Sequence, residues 1–192
     1  MTRDRAAKCT ETQAWTKDGR AITIRPLSRS DAPLVEELFK SLSPRSIFFR
    51  FLRNWKTVPP EVIAYFTKID CELNVAMVAL EKGRSQERML GLCGILRKPG
   101  SERAEFAVVV RDEWQGRGVG AQLVAESLPA AKAMVIKELW GIVSPENTIM
   151  IAMASKLGFT VRKDRESDLY EMEMHFSSTS SAEVPVSCAE AP

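Results

Sequence analysis

A glycine-rich segment in the second half of the chain is the part of the sequence best suited to binding a ligand. Gln115-Gly116-Arg117-Gly118-Val119-Gly120 follows an apolar, strand-like run and leads directly into a helical pattern of Leu123, Val124 and Leu128. Glycine adopts backbone conformations that side chains forbid and lets a ligand approach the main chain. Successive N–H groups at a helix N-terminus bind anions, helped by the helix dipole. Residues 115–120, the cradle, are therefore predicted to bind a phosphate or pyrophosphate.

Two common phosphate-binding motifs do not fit the cradle. A P-loop requires Lys-Ser or Lys-Thr after its last glycine, and no such pair follows Gly120. The dinucleotide fingerprint needs GxGxxG after the first strand of a parallel sheet, whereas these glycines are spaced GxGxG in the middle of the chain. From the loop alone, a plain turn whose glycines pack against the helix fits as well as a phosphate site.

Strand-like and helical patterns alternate around the cradle in an informative order. Two hairpins in succession predict an antiparallel meander just before it. The order β-α-α-α-β-β-β-α-β-α-β-β predicts an α+β domain, in which helices cover a mixed sheet. The seven predicted strands are Ala21–Leu27, Leu73–Glu81, Met89–Arg97, Ala104–Val110, Leu139–Val143, Phe159–Arg162 and Leu169–Phe176.

The length and the two ends of the chain predict one domain between two tails. A chain of 192 residues fits a single domain better than two. Residues 1–17 are charged and polar without periodicity, and residues 177–192 are rich in Ser, Ala, Glu and Pro. We expect a flexible tail at 1–17, a folded domain at 18–176 and disorder at 177–192.

Composition and charge argue against several classes of protein. Lys and Arg number 27 against 25 Asp and Glu, a net charge of +2. A protein with so small a net charge is poorly suited to nucleic acid or an anionic membrane as its main partner. No apolar run is long enough for a transmembrane helix, and the N-terminus lacks the pattern of a signal peptide. We expect a cytoplasmic protein.

The cysteines and the histidine give no metal-binding pattern. The chain has four cysteines, no CxxC and one histidine, His175, so we expect no metal site. Cys71 and Cys93 lie in or beside apolar runs with no histidine placed to activate them. These two thiols are predicted to be inert core residues of a protein from a reducing compartment.

The cradle and a second motif resemble the GNAT N-acetyltransferase superfamily. Its signature is Gln or Arg, two residues, Gly, one residue, then Gly or Ala, at a strand-to-helix junction, which Gln115, Gly118 and Gly120 match. A second element is an Asn that opens the next helix and a Gly-Phe at its end, matched by Asn147 and Gly158-Phe159. The resemblance covers roughly residues 22–176. It implies a GNAT fold with a mixed, mostly antiparallel seven-stranded sheet, flanked by helices and split between two parallel neighbours. It also implies acetyl-CoA as co-substrate, with its pyrophosphate on the cradle amides.

Within the superfamily, the chain looks most similar to bacterial protein-lysine acetyltransferase domains. This resemblance implies that Glu105 is the general base that accepts a proton from the acceptor amine. An apolar strand around Glu105 would raise its pKa toward the working range. The alternative is a solvent-facing Glu at a strand edge, near Arg103. The matching segments are Ile24–Leu27, Asp31, Ser41–Pro44, Arg50–Leu52 and Ala104–Val108.

The resemblance also implies contacts to the pantetheine arm of acetyl-CoA. Backbone groups of Val108, Val109 and Val110 are expected beside the arm, with one N–H facing the thioester oxygen. Asn147 is expected to hydrogen-bond the pantetheine amides, although a residue that caps its own helix fits nearly as well. The sequence departs from the family in one respect, since the Tyr that protonates the leaving thiolate in many members is Ala154 here.

These observations predict an enzyme that transfers an acyl group directly from acetyl-CoA to an amine, with a protein lysine as the expected acceptor. One alternative is an acetyltransferase for a small-molecule amine. Another is a non-catalytic acetyl-CoA-binding sensor, against which Glu105 argues. The sequence leaves the oligomeric state open, with a homodimer among the options.

Overall fold

The computed structural model describes residues 11–66, 74–82 and 87–176. Its five α-helices are α1 (Ala32–Lys40), α2 (Pro44–Phe51), α3 (Pro60–Phe66), α4 (Val119–Ala133) and α5 (Thr148–Lys156). Its strands are β1 (Thr12–Trp15), β2 (Ala21–Pro26), β3 (Asn74–Lys82), β4 (Glu87–Arg97), β5 (Arg103–Val110), β6 (Glu138–Val143), β7 (Thr160–Lys163) and β8 (Tyr170–His175).

The strands form one mixed sheet in the order β1-β2-β3-β4-β5-β6-β8-β7. Among the described strands, β5 and β6 are the one parallel pair, and every other neighbouring pair is antiparallel. The predicted α+β class, with a mostly antiparallel sheet flanked by helices, is confirmed. The predicted strand number is wrong by one, because the sheet has eight strands instead of seven.

The additional strand, β1, comes from the segment predicted to be a flexible tail. It pairs antiparallel with β2, from Thr12 opposite Ile24 to Trp15 opposite Ala21. A tight turn joins the two strands, and Gly19 in it has a φ of 82°, which glycine tolerates best. The domain boundary at residue 18 is therefore too late. Residues 1–10 and 177–192, the rest of the predicted tails, lie outside the described residues.

Helices cover both faces of the sheet and create two hydrophobic cores. On one face α1, α2 and α3 contribute Phe39, Ile47 and Phe66 to a core that includes Val109 of β5. On the other face, Leu123 of α4 joins a core that includes Phe106 of β5. Because side chains alternate along a strand, β5 contributes to both cores. This strand therefore lies at the centre of the molecule.

Local sequence signals account for the helices beside β5. The Ser43 side chain accepts a hydrogen bond from the Ser46 N–H, and Pro44 occupies the first position of α2, where a missing N–H costs nothing. α4 begins after Gly118 and continues through Pro129 without interruption. In the described ranges, no helix is both long enough and apolar enough to cross a membrane.

Candidate active site

The parallel strands β5 and β6 are joined at their first residues and then separate. Arg103–Glu105 pairs with residues 138–140. Beyond that point β6 pairs with β8, and β5 pairs with β4. The edge of Phe106–Val110 that faces β6 therefore has backbone groups without a strand partner, which can bind an extended ligand. The split that the resemblance implied is present.

The cradle lies at the carboxyl end of β5, as predicted, and opens α4. Gly116 and Gly118 have φ angles of 73° and 93°, in the left-handed region that glycine favours. The α4 hydrogen bonds begin when the Gln122 N–H donates to the Gly118 carbonyl at 3.1 Å. The N–H groups of residues 119–121 consequently have no acceptor within the helix. These groups and the helix dipole are suited to bind an anion.

The β1–β2 hairpin fixes the cradle in place. The Lys17 N–H donates to the Arg117 carbonyl at 2.9 Å, and the Arg117 guanidinium pairs with Asp18 at 2.7 Å. Farther along, Gln122 Nε2 donates to the Trp15 carbonyl at 2.7 Å. The strand missed in the sequence is thus part of the site.

Three predicted cradle residues use their side chains for support. Arg117 is held by Asp18, and Val119 is 1% exposed in the core, so neither side chain lines the cavity described below. Gln115 Nε2 donates to Ser46 Oγ at 2.9 Å and to the Val110 carbonyl at 3.1 Å. Any contact that Arg117 and Val119 make with a ligand in the cavity is therefore limited to their backbone.

A cavity of about 650 Å³ extends from the cradle along the separated strands. Its volume is within the roughly 300–1,000 Å³ of small-molecule and cofactor sites. Most of the site residues predicted from the sequence line this one cavity. They are Glu105, Val108, Val109, Val110, Gln115, Gly116, Gly118, Gly120 and Asn147.

Glu105 is the last residue of β5 that pairs with β6, so it lies where the strands part. Its side chain lines the cavity and is exposed to solvent. The predicted apolar enclosure of this carboxyl is wrong, because the alternation that buries Ala104 and Phe106 turns Glu105 to the open side of the strand. The carboxylate is consequently accessible to a molecule that approaches from solvent.

Asn147 caps α5 and also faces the cavity. Its Oδ1 accepts a hydrogen bond from the Met150 N–H at 3.2 Å, which is the capping alternative noted for this residue. Its Nδ2 has no partner among the residues described here, and the side chain lines the cavity. The amide can therefore cap the helix and donate one hydrogen bond to a ligand.

A polar cluster holds α2 against the carboxyl end of β5. Asp112 accepts hydrogen bonds from the Ser43 N–H at 3.0 Å and from Ser46 Oγ at 2.8 Å. Burial favours the neutral acid, but the hydrogen bonds from Ser43 and Ser46 outweigh it and hold the pKa of Asp112 below its ordinary value. The cluster positions α2 as a wall of the cavity, to which it contributes Phe49, Arg50 and Phe51.

Three cationic side chains of the cavity wall were not predicted as site residues. Lys17 and Lys156 are exposed and line the cavity together with the cradle. No sequence signal pointed to Lys17, because it lies in the segment that looked like a tail. Arg50 belongs to a segment that matched the lysine acetyltransferases, but the match gave it no role.

The remaining candidates for chemistry are outside the cavity. Burial raises the pKa of the Cys93 thiol to about 11, so Cys93 is an inert core residue, as predicted, whereas Cys71 lies outside the described residues. Ala154, in place of the missing Tyr, is fully buried. In residues 11–66, 74–82 and 87–176, no three His, Cys, Asp or Glu side chains are grouped to hold a metal ion.

Comparison with known proteins agrees with this geometry. A family model described as an acetyltransferase (GNAT) domain matches residues 21–160. An acetyltransferase of Pseudomonas aeruginosa is 28% identical over 165 residues, which cover 84% of this chain and 89% of the relative. Both matches include the meander, the cradle and α5.

Solved structures share the fold at lower sequence identity. The GNAT domain of S. lividans PAT superposes with a TM-score of 0.78 at 22% identity, covering 86% of this chain and 97% of that domain. The yncA protein of Salmonella typhimurium, solved with its cofactor acetyl-CoA, superposes with a TM-score of 0.66 at 17% identity, covering 83% of this chain and 96% of the other.

Proposed function

The chain belongs to the GNAT acetyltransferase family, and on that premise we propose that it transfers an acetyl group from acetyl-CoA to a lysine on the surface of a protein. Membership of this family establishes the general activity, which is N-acetyl transfer from acetyl-CoA to an amine. The proposal of a protein lysine as acceptor rests on the position of Glu105. This residue is exposed at the point where β5 and β6 part, and it lines the cavity that begins at the cradle.

The cofactor occupies the cavity with its pyrophosphate at the cradle. The free N–H groups of residues 119–121 supply hydrogen bonds, and Lys17 and Lys156 supply positive charge. The pantetheine arm lies along the open edge of Phe106–Val110, where backbone groups face it as a neighbouring strand would. A β5 N–H that faces the thioester oxygen stabilises the negative charge that develops there.

Glu105 is the general base in this proposal. A lysine ammonium has a pKa near 10.4, so it must lose a proton before it can attack the thioester carbon. Attack forms the new C–N bond; the nitrogen then loses a proton to solvent, and collapse of the intermediate breaks the C–S bond and releases the CoA thiolate, which takes a proton from solvent. The exposed carboxylate accepts the ammonium proton directly or through a water molecule. Transfer is direct in this proposal, and Cys93, which is buried and protonated at neutral pH, is unsuited to carry the acyl group.

A lysine side chain suits the part of the cavity beside α2 and Glu105, which we call the acceptor side. α2 provides an aromatic wall with Phe49 and Phe51, and Ile142 of β6, which lines the same cavity, is 46% exposed. Such apolar surfaces pack against the four-carbon stem of lysine, while the amine reaches Glu105. The net charge of +2 provides no acidic field of the kind that would attract a polycationic small molecule.

Competition between acceptors tests this proposal. Purified protein with acetyl-CoA is offered acyl-CoA synthetase protein, lysine-containing peptides, polyamines, amino acids and aminoglycosides in parallel, and products are identified by mass. We expect the highest kcat/KM for a protein lysine. If a small amine is acetylated far more efficiently than any protein or peptide, the small-molecule alternative replaces this proposal. Binding of acetyl-CoA without turnover on any acceptor would support the sensor alternative.

A further inference from the structure

Arg50, in the last turn of α2, is a cation with no anionic partner among the described residues. Its guanidinium makes no hydrogen bond and no ion pair with any residue that the structure describes, and its Nε is sealed from solvent without a partner. The ring of Phe51 lies 4.9 Å from the guanidinium carbon and that of Phe66 lies 5.5 Å from it. Aromatic faces stabilise a cation but do not accept its in-plane N–H groups.

Three other partly or fully buried arginines each donate at least one hydrogen bond, unlike Arg50. Arg111 donates Nε to the Met89 carbonyl at 2.6 Å and Nη2 to Glu37 at 2.8 Å. Arg25 forms a two-bond pair with Asp31, at 2.6 and 2.8 Å. Arg97 also has an unpartnered Nε, but its Nη1 donates to the Met134 carbonyl at 2.9 Å. A charge that is removed from water is costly unless it is paired, so the unpaired donors of Arg50 favour an external partner.

Arg50 lines the same cavity as Glu105. Burial lowers the pKa of Arg50, and the charge of Glu105 opposes that shift, which places the two groups in each other's electrostatic field. They nevertheless form neither an ion pair nor a hydrogen bond. The acceptor side of the cavity thus presents a carboxylate and a guanidinium that are separate and free to bind.

We propose that Arg50 binds a carboxylate of the acceptor while the reacting amine lies at Glu105. This rests on the proposed function, in which Glu105 receives the proton of that amine. A guanidinium matches a carboxylate with two parallel hydrogen bonds. The carboxylate has two possible sources, an acidic side chain next to the target lysine or the α-carboxylate of a free amino acid. The cofactor phosphates are a poorer match, because they lie at the cradle with Lys17 and Lys156.

Two matched pairs of acceptors separate the sources of the carboxylate. One pair is a lysine peptide with Glu beside the lysine and the same peptide with Gln. The other is Nα-acetyl-lysine and its amide, which differ only in the α-carboxylate. The ratio of kcat/KM for acid over amide is measured for each pair with the wild type, Arg50→Gln, Arg50→Lys and Arg45→Gln. Arg45 is the matched control, because it lies exposed on α2 outside the cavity lining.

We expect the wild type to prefer the acid of at least one pair by about 10- to 100-fold, as for a lost hydrogen bond to a charged group. Arg50→Gln should reduce that ratio to near one through a higher KM for the acid. Arg50→Lys should keep part of the preference, and Arg45→Gln should keep all of it. Affinity for acetyl-CoA should be unchanged in all variants.

A ratio near one in the wild type for both pairs would overturn the proposal, and so would a preference that survives in folded Arg50→Gln. Lost acetyl-CoA affinity with an unchanged ratio would assign Arg50 to the cofactor instead. Thermal unfolding shows whether each variant folds. If Arg50→Gln does not fold, the wild-type ratios and Arg50→Lys decide.

The same data test the role of Arg50 and the proposed protein-lysine acceptor separately. Preference for Nα-acetyl-lysine over its amide, with no peptide acetylated, would retain the role of Arg50 and refute the protein lysine. Equal acetylation of both lysine peptides, together with a ratio near one for Nα-acetyl-lysine and its amide, would retain the protein lysine and refute the role of Arg50.

Discussion

Substitution of Gly118 by Asp tests whether the cradle binds the pyrophosphate. Gly118 has a φ of 93° and precedes the first residue of α4. An added Cβ would meet Lys17 Cγ at 3.5 Å and Gln122 Nε2 at 3.7 Å, which are ordinary contacts. The left-handed conformation costs a non-glycine residue about 1–2 kcal/mol, so we expect the variant to fold with reduced stability.

The charge of the new carboxylate dominates the effect on binding. At about 5 Å from a phosphate charge, with an effective dielectric constant near 20, the repulsion is about 3 kcal/mol. One such interaction weakens binding by roughly 100-fold, and the pyrophosphate carries more than one charge. Gly118→Ala is the control, because it has the same backbone strain without the charge, and it should retain acetyl-CoA affinity within about tenfold.

Calorimetric titration with acetyl-CoA measures both variants directly. Thermal unfolding with and without the cofactor provides a second readout, since a ligand at 100 times its Kd stabilises the native state by about 2.7 kcal/mol. We expect this stabilisation in the wild type and Gly118→Ala and its loss in Gly118→Asp. Unchanged affinity in a folded Gly118→Asp protein would refute the cradle assignment.

Three further predictions concern neighbouring groups. Lys17→Ala should weaken acetyl-CoA binding several-fold at low salt and less at high salt, because a screened surface charge is lost; calorimetry at two ionic strengths measures this. With a pKa of about 11, Cys93 stays protonated at neutral pH, and peptide mapping after incubation with acetyl-CoA should find no acetyl group on it. In the folded protein the pKa of Asp112 lies below the ordinary value of 3.8. The ionised carboxylate therefore stabilises the fold at pH values above 3.8, and this stabilisation is lost as the pH falls through the folded pKa. Asp112→Ala should therefore lower the free energy of unfolding by about 1 kcal/mol at pH 7, allowing for solvent exposure, with a smaller difference in acid by denaturant titration.

The sequence predicted the cradle because the conformations needed there depend on local residue types. Glycines at 116 and 118 specify the left-handed turn, and the helical pattern from Leu123 specifies an N-terminus beside it. The parting of β5 from β6 is a property of the whole sheet, and it was expected only from resemblance to a family. Without that resemblance, a plain turn would have fitted the loop as well.

Residues that act through distant contacts were harder to predict. β1 has four residues with no apolar alternation, and pairing with β2 makes it a strand. That pairing brings Lys17 to the cradle, a hundred positions away in the chain. The exposure of Glu105 depends on which face of β5 the helices leave uncovered. Likewise, Arg50 could be singled out only once the structure showed that its charge has no partner among the residues described.

The most direct test of the account is the pH dependence of catalysis by Glu105→Gln. With a lysine acceptor we expect kcat at neutral pH to fall by roughly 10²–10⁴-fold, the range for a lost general base, while acetyl-CoA affinity stays the same. The defect should diminish at high pH, where more of the amine is neutral. Glu102→Gln is the matched control, since this exposed carboxylate pairs with Lys137 outside the cavity lining, and it should behave as wild type. Full activity of Glu105→Gln at neutral pH would contradict the proposed role of Glu105.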